Sequence, residues 1–395
     1  MSSGIADYSS ELLPLVASRA EVDAFCPGIG LGRPVRAPAG IPVIRPQRFE
    51  ELAGRYHAVF YHLGNNPFHT FVYRASLRWP GVAVLHEVVL HHLVDHLLFM
   101  DGRHDPATYR RMLQDEYGTV GAKLAYLRAT GAYTDLEKFL FPLSAHVVRA
   151  SRAVVVHTAR AREQVLDAAP DAPVTVIPHH APQPPPEVAG VSREEARARL
   201  GLPSGAFLVG QFGFITKPKQ PAAVLDAFER LLARRPDALL IVVGENQAGV
   251  GVEKMLHGRG LEERVRMVGY VDLLRFHLYL KAVDAVVNLR YPSAGEASGT
   301  FTRALAEGRA VIASNLGAFG DVPRNVCLKV EVDGDQGREA GDHLIRLAED
   351  PAFKSSLERR AREYARGPLD PARCAEMYVE AAATMAKQTP SVRLR

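Results

Sequence analysis

Ala285-Val-Val-Asn288, the turn Tyr291-Pro292 and the run AGEASGTFTRALAEGRAVIAS from Ala294 to Ser314 decide the fold. A β-branched run ends at Asn288, glycine-rich residues open a helical pattern over Gly299–Glu307, and a second β-branched run begins at Val311. Strand, glycine loop, helix, strand is the repeating unit of a parallel α/β sheet, which collects ligands where its strands run out into loops. Gly295 and Gly299 let the backbone come close to a ligand. Ser298, Gly299 and Thr300 would turn amide N–H groups toward it at the positive end of the helix dipole. Those features suit a diphosphate, with Glu296 placed just ahead to accept hydrogen bonds from hydroxyl groups. They equally suit a plain helix start capped by Ser298, with Glu296 in solvent.

Working outward, the same alternation fills the chain. Further strands are expected at Val22–Cys26, Ala58–Leu63, Val82–His86, Ala153–His157 and Val174–Ile177, then at Phe207–Phe212, Leu239–Val243, Val265–Val268 and Cys327–Val330. Helical patterns lie between them, including Ser9–Ala20, Phe68–Arg78, Arg160–Ala169, Pro221–Arg235 and Gln336–Glu349. Prolines at 178, 182, 184, 185 and 186 can continue neither a helix nor a central strand, so the two halves join there. The expected architecture is α/β, with two Rossmann-like, doubly wound parallel sheets facing across a cleft. Residues 1–182 form one domain, completed by a C-terminal helix over 369–388, and residues 190–366 form the other.

Length and composition agree with that plan. The 395 residues are 47% hydrophobic and 23% charged, enough for two ordinary cores. The apolar stretch Val88–Met100 is interrupted by His91, His92, Asp95 and His96, well short of the ~20 apolar residues of a spanning helix. Met1-Ser-Ser-Gly lacks the basic and apolar regions of a secretory signal, so the expected location is the cytoplasm. Cys26, Cys327 and Cys374 are far apart and form no C-x-x-C, which argues against disulfides and a structural zinc site. The net charge is +4, with 48 basic residues interspersed among 44 acidic ones, unlike the concentrated basic face of a nucleic-acid binder. A basic rim would still suit phosphates or peripheral contact with the inner face of an anionic membrane.

Three other segments carry chemistry. Thr216-Lys217-Pro-Lys219 follows the strand Phe207–Phe212 and the loop at Gly213, where a lysine can set a point charge against a phosphate leaving group. The alternative is two exposed lysines beside a turn. His86-Glu87 ends a strand, and its H-E-x-x-x-H spacing to His91 differs from the H-E-x-x-H of zinc proteases; His92 and His96 are four apart and could share a metal, but read better as interface histidines. Tyr61-His62-Leu-Gly64-Asn65-Asn66-Pro67 ends another strand with turn, amide and imidazole groups that could line the cleft. Gly28-x-Gly30-x-Gly32 is followed by Arg-Pro, not by a helix, so it fails as a dinucleotide fingerprint.

Taken in order, Ser3-Gly-Ile-Ala-Asp-Tyr-Ser9, LGNN at Leu63–Asn66, VLHEVVLHHL at Val84–Leu93, GFITKPK at Gly213–Lys219 and the run Ala294–Ser314 resemble the nucleotide-sugar-dependent glycosyltransferases of family 4. The resemblance covers nearly the whole chain and is strongest to bacterial members with a G-E-x-S-G motif. It implies the GT-B fold and transfer of a sugar from a nucleoside diphosphate sugar to a glycan, lipid-linked or small-molecule acceptor, with retention and no obligatory metal or cofactor. It implies catalytic roles for His86, Glu296 and Lys219. Gly4, Gly213, Lys217, Gly295, Ser298, Gly299, Thr300 and Arg303 would join Lys219 and Glu296 around the donor, and Asn65, Asn66 and Glu87 would lie on the acceptor side. A related epimerase or phosphorylase, or a nucleotide-sugar-binding subunit without activity, are the alternatives.

Three positions depart from the family pattern. Its second glutamate falls on Ala304, between Arg303 and the later Glu307; an arginine beside the phosphate lysine falls on Phe214 or Phe212; and Glu87 stands where aspartate is expected. The resembling proteins also begin with a strand ahead of the first glycine loop, whereas Gly4 is three residues from the start. The expectation is therefore a first domain lacking its usual initial strand, with an upstream in-frame extension of roughly 10–15 residues to supply it.

Overall fold

The computed structural model describes residues 4–26, 40–100, 103–247 and 249–388. Ser3 and the glycines at 28, 30 and 32 lie outside them. The chain divides into two units, Met1–His179 with Ala294–Ala297 and Pro371–Arg395, and His180–Ser293 with Ser298–Asp370.

In the first unit, β1 (Ala24–Phe25) and β2 (Val43–Ile44) form a small parallel pair of their own, so the expected strand at Val22–Cys26 exists but does not join the main sheet. That sheet contains β3 (Phe60–Leu63), β4 (Val82–Leu85), β5 (Ala153–Val156) and β6 (Val174–Val176), all parallel and adjacent in chain order. Its strands are apolar almost throughout because both faces are covered. Val82, Val84 and Val155 meet Tyr8 and Leu12 of helix Gly4–Ala17 and Cys374, Ala375 and Tyr378 of helix Pro371–Gln388. The Tyr8 and Tyr378 hydroxyls share a hydrogen bond of 2.9 Å between these two helices. Ala83, Leu85, Val154 and Val156 face the other way, under helices Thr70–Arg78, His91–Phe99 and Pro106–Ala129.

In the second unit, β7 (Leu208–Phe212), β8 (Leu239–Val243), β9 (Val265–Gly269), β10 (Ala285–Asn288), β11 (Ala310–Ser314) and β12 (Leu328–Val330) form one parallel sheet in the order β12-β11-β10-β7-β8-β9. The chain begins at β7, adds β8 and β9 on one side, and returns to build β10 to β12 on the other. Strand order therefore reverses between β7 and β10, and a doubly wound sheet binds ligands in the crevice beyond such a point. The loops that open there are Gly213–Lys219 and Tyr291–Ser298. No helix among the described residues is long and apolar enough to cross a membrane.

Candidate active site

At the end of β7, Gly213 adopts φ +81°, and a Cβ placed on it would lie 2.6 Å from Lys219 Nζ and 3.4 Å from Thr300 Oγ1. Three segments thus converge on one point: the β7 loop, the 3₁₀ turn Lys217–Lys219 and the start of helix Gly299–Ala306. Lys219 is only 8% exposed, and its ammonium donates to Phe212 O at 2.7 Å. Lys217 is exposed, so the alternative reading of two exposed lysines holds for only one of them. The turn is pinned from β10, since Tyr291 N donates to Pro218 O at 2.7 Å and Gln220 Nε2 donates to Tyr291 O at 2.6 Å. Gly213→Ala is expected to destabilise by roughly 1–3 kcal/mol, because it forces a side chain into the left-handed region and onto the ammonium. A thermal melt checks this, and an unchanged midpoint would contradict the close approach.

Helix Gly299–Ala306 starts as both sequence readings require. Ser298 Oγ accepts from Phe301 N at 3.3 Å, a true N-cap, while Gly299 and Thr300 present first-turn amides that have no carbonyl within the helix. Arg303 is buried, its guanidinium donating to Gly299 O at 3.3 Å, so it stiffens that turn from below. Ala304 is fully buried in the core. Glu307 is buried too and engaged by His277 Nδ1 at 2.8 Å and Lys281 Nζ at 2.9 Å. Burial pushes its carboxyl up, but those two partners outweigh burial and hold it below the usual range. An open depression of about 410 Å³ at the ends of β8 and β9 is lined by Gly244, Asn246, Glu253 and Gly269, among others.

Glu296 lies in Ala294–Ala297, the segment that groups with the first unit. Its Oε2 accepts from Ala294 N at 2.7 Å, and Val89 N donates to Ala294 O at 3.0 Å. Gly295 (φ +77°) passes so close to Val88 that a Cβ would come within 2.9 Å of its methyl. Gly4 opens helix Gly4–Ala17 and is not a loop residue as expected.

The first unit brings Asn65 and Glu87 together, Glu87 Oε2 accepting from Asn65 N at 3.3 Å. Asn65 also accepts from Leu93 N at 3.1 Å and meets His92 Nδ1 at 2.7 Å, so it fastens the β3 loop to helix His91–Phe99. Asn66 caps the next turn by accepting from Phe68 N at 3.0 Å. No group of three or more His, Cys, Asp or Glu residues among those described could hold a metal ion.

His86 is 6% exposed and sits in the middle of a row of imidazoles at the ends of β3, β4 and β5. His62 Nδ1 lies 2.9 Å from His86 Nε2, His86 Nδ1 lies 3.1 Å from His157 Nε2, and His157 Nδ1 lies 2.8 Å from Ile177 O. Tyr8 packs against His62, His86, His157 and His179, edge-on to His86 with ring centroids 4.8 Å apart. Both ring nitrogens of His86 are therefore occupied by other histidines. Sequence reasoning singled out His62 and His86 but missed His157, His179, Tyr8 and Tyr378. The signal available was positional, since His86 and His157 each follow directly on an apolar strand.

Residues 192–367 match the family described as Glycosyl transferases group 1. Lys219, Gly213 and helix Gly299–Ala306 all lie within the matched segment. Among curated relatives, the D-inositol 3-phosphate glycosyltransferase of Saccharomonospora viridis is 30% identical over 244 residues, 55% of this chain and 52% of that protein. The protein of the same name from an Arthrobacter species is 27% identical over 180 residues, 44% of this chain and 42% of its own length. The chain thus spans about half the length of the curated relatives it matches. Among solved structures, Anabaena HepE in complex with UDP and glucose superposes with a TM-score of 0.69 at 17% identity, covering 97% of this chain and 96% of that one. Sucrose-phosphate synthase from Thermosynechococcus elongatus gives 0.67 at 17% identity, covering 96% and 92%. These likenesses show the GT-B fold.

Proposed function

We propose that the protein is a retaining glycosyltransferase of the G-E-x-S-G group, moving a sugar from a nucleoside diphosphate sugar to a hydroxyl acceptor: a glycan, a lipid-linked saccharide or a small metabolite. The observation that carries the reading is the convergence of Lys219 Nζ and Thr300 Oγ1 on the open face of Gly213, within the matched segment. A departing diphosphate accumulates negative charge. A fixed ammonium and the amides of Gly299 and Thr300 offer compensating charge already oriented in place. Glu296 accepts from the transferred sugar's hydroxyls, Lys217 and Arg303 support the phosphate turn, and Gly4 and Gly295 leave room for the backbone to approach. His86 acts at the reacting sugar through the imidazole row it belongs to, while Asn65, Asn66 and Glu87 shape the acceptor side. The depression at the ends of β8 and β9 suits the nucleoside end. This reading places the reaction in the cytoplasm, at the membrane's inner face where the acceptor is lipid-linked.

The HepE complex contains UDP and glucose, and the curated relatives are named for D-inositol 3-phosphate. UDP-glucose and inositol phosphate are therefore the first donor and acceptor to test, followed by a panel of other nucleotide sugars. Lys219→Ala is expected to lower kcat by about 10²–10³, the usual cost of losing one oriented donor at developing charge. Glu296→Ala should act mainly on use of the sugar, and both are read from nucleoside diphosphate release. Ala304, in the core where the family pattern has a second acid, favours a binding protein without turnover; tight donor binding with no product across the panel would establish that alternative. Product formed from donor without an acceptor would instead indicate an epimerase or phosphorylase.

A further inference from the structure

The imidazole row fixes its own protonation pattern. A neutral imidazole has one N–H donor and one lone-pair acceptor. His157 Nδ1 faces the carbonyl oxygen of Ile177 at 2.8 Å, so it carries the hydrogen and leaves Nε2 as acceptor. His86 must then donate from Nδ1 to His157 Nε2, which leaves its own Nε2 as acceptor. His62 must donate from Nδ1 to His86 Nε2. The last lone pair, on His62 Nε2, has no partner among the described residues, and His62 is only half-buried at the ligand-binding end of the sheet. Each ring is held in position, His62 lying parallel to Tyr378 and His86 and His157 packing on Tyr8.

We propose that His62, His86 and His157 form an electroneutral, tautomer-fixed chain that presents the lone pair of His62 Nε2 to a hydroxyl group of the sugar substrate, with His157 as the positioning residue that sets the direction of the whole row. The ligand half of this inference rests on the glycosyltransferase reading above. A neutral acceptor at this place selects an O–H donor and disfavours a phosphate or carboxylate oxygen, since two acceptors would then face each other. Burial supports the neutral state, holding His62 down to about 3. His86, whose nitrogens are both engaged, transmits orientation along the row, and the contact with substrate falls to His62.

Nitrogen-15 NMR of histidine-labelled protein at pH 7.5 tests the chain without reference to catalysis, because imidazole shifts separate protonated from lone-pair nitrogens. All three residues are expected in the Nδ1–H form, the minority tautomer of a free imidazole. His157→Gln keeps an acceptor for His86 and should preserve that pattern, while His157→Ala should release both His86 and His62 from a single tautomer. An Nε2–H form of His62 in the intact protein, or a His62 signal indifferent to His157→Ala, would overturn the chain. Titration with UDP-glucose, then with glucose and inositol phosphate, should shift the His62 Nε2 resonance. Backbone signals of residues 192–367 that respond while His62 does not would overturn the substrate contact and leave the transferase reading standing. No response anywhere across the nucleotide-sugar panel would instead overturn the transferase reading and the contact with it.

Discussion

Asp284→Ala is expected to cost about 3–5 kcal/mol, the usual range for removing one partner of a buried ion pair. Asp284 immediately precedes β10, is 6% exposed, and uses each carboxylate oxygen twice. Oδ2 accepts from Arg197 Nη2 at 2.7 Å and from Leu208 N at 2.9 Å, while Oδ1 accepts from Lys354 Nζ at 2.9 Å and faces Arg193 Nη1 at 3.3 Å. Burial alone would raise this acid, but Lys354, the Leu208 amide and Arg193 outweigh it and hold the carboxyl below its usual range. Removing it leaves the Arg197 guanidinium buried with carbonyls only, from Ala282, Ser204 and Ala206. A loss of that size is a large part of the roughly 5–15 kcal/mol that holds a domain together. It should appear as a drop of about 10 °C in the melting of the second unit. Asp284→Asn, which keeps the shape and one acceptor oxygen but not the charge, should lose less than Asp284→Ala and still measurably; no loss in Asp284→Asn, or an Asp284→Ala loss under 1 kcal/mol, would show that the charge is not what holds β10 to its neighbours.

The parallel α/β character was legible because fully buried strands are apolar runs, and the runs ending at Phe212, Val243 and Asn288 formed strands with little shift in boundary. Less legible was the partner of each strand. Val22–Cys26 read like any other β-branched run, yet Ala24–Phe25 pairs with Val43–Ile44 apart from the main sheet, since pairing depends on contacts distant in sequence. Helix Pro106–Ala129 was not anticipated at all. Its sequence alternates small, charged and aromatic residues without a clean apolar stripe, and it is broken at Gly118 (φ 59°, ψ −135°), which blurs a 3.6-residue period.

The site divides along the same line. Gly213, Lys219, Ser298 and Thr300 were found because each belongs to a short contiguous pattern of strand, loop and helix whose physics is local. What sequence could not show is that Lys219 is buried against Phe212 O while Lys217, two residues away, is exposed. The imidazole row is the opposite case. His62, His86 and His157 are 24 and 71 residues apart and meet only because three parallel strands stop at the same level. No window of sequence contains that arrangement, although the register of the sheet produces it at once.

That row, with His91, makes the first unit sensitive to acid in a range where carboxylates are still ionised. Burial lowers His62 to about 3, with the charges of His157 and His69 adding to the effect. Burial also lowers His91 to about 4, against the opposing pull of the Phe141 carbonyl and Asp95, while His92 and Lys138 lower it further. His86 is driven down by burial and by His157, His62, His179 and His69. His91 shows why the neutral form fits, with Nδ1 donating to Phe141 O at 2.6 Å and Nε2 accepting from Tyr109 OH at 2.7 Å, a bond that protonation would destroy. Because these folded values lie below the unfolded value near 6.5, the unfolded chain takes up protons first as pH falls. The stability of the neutral rings is therefore intact above about pH 6.5 and is lost progressively below it, until the folded values are reached. At pH 5 His62 and His91 alone should remove about 4 kcal/mol, roughly 2 from each, with His86 adding to it. Thermal melts between pH 7.5 and 5 should show the first unit falling well ahead of the second, and His91→Gln should flatten the slope by about one proton. Melting that stays level down to pH 5 would mean that these histidines already share a proton in the native state, and the neutral row could not stand.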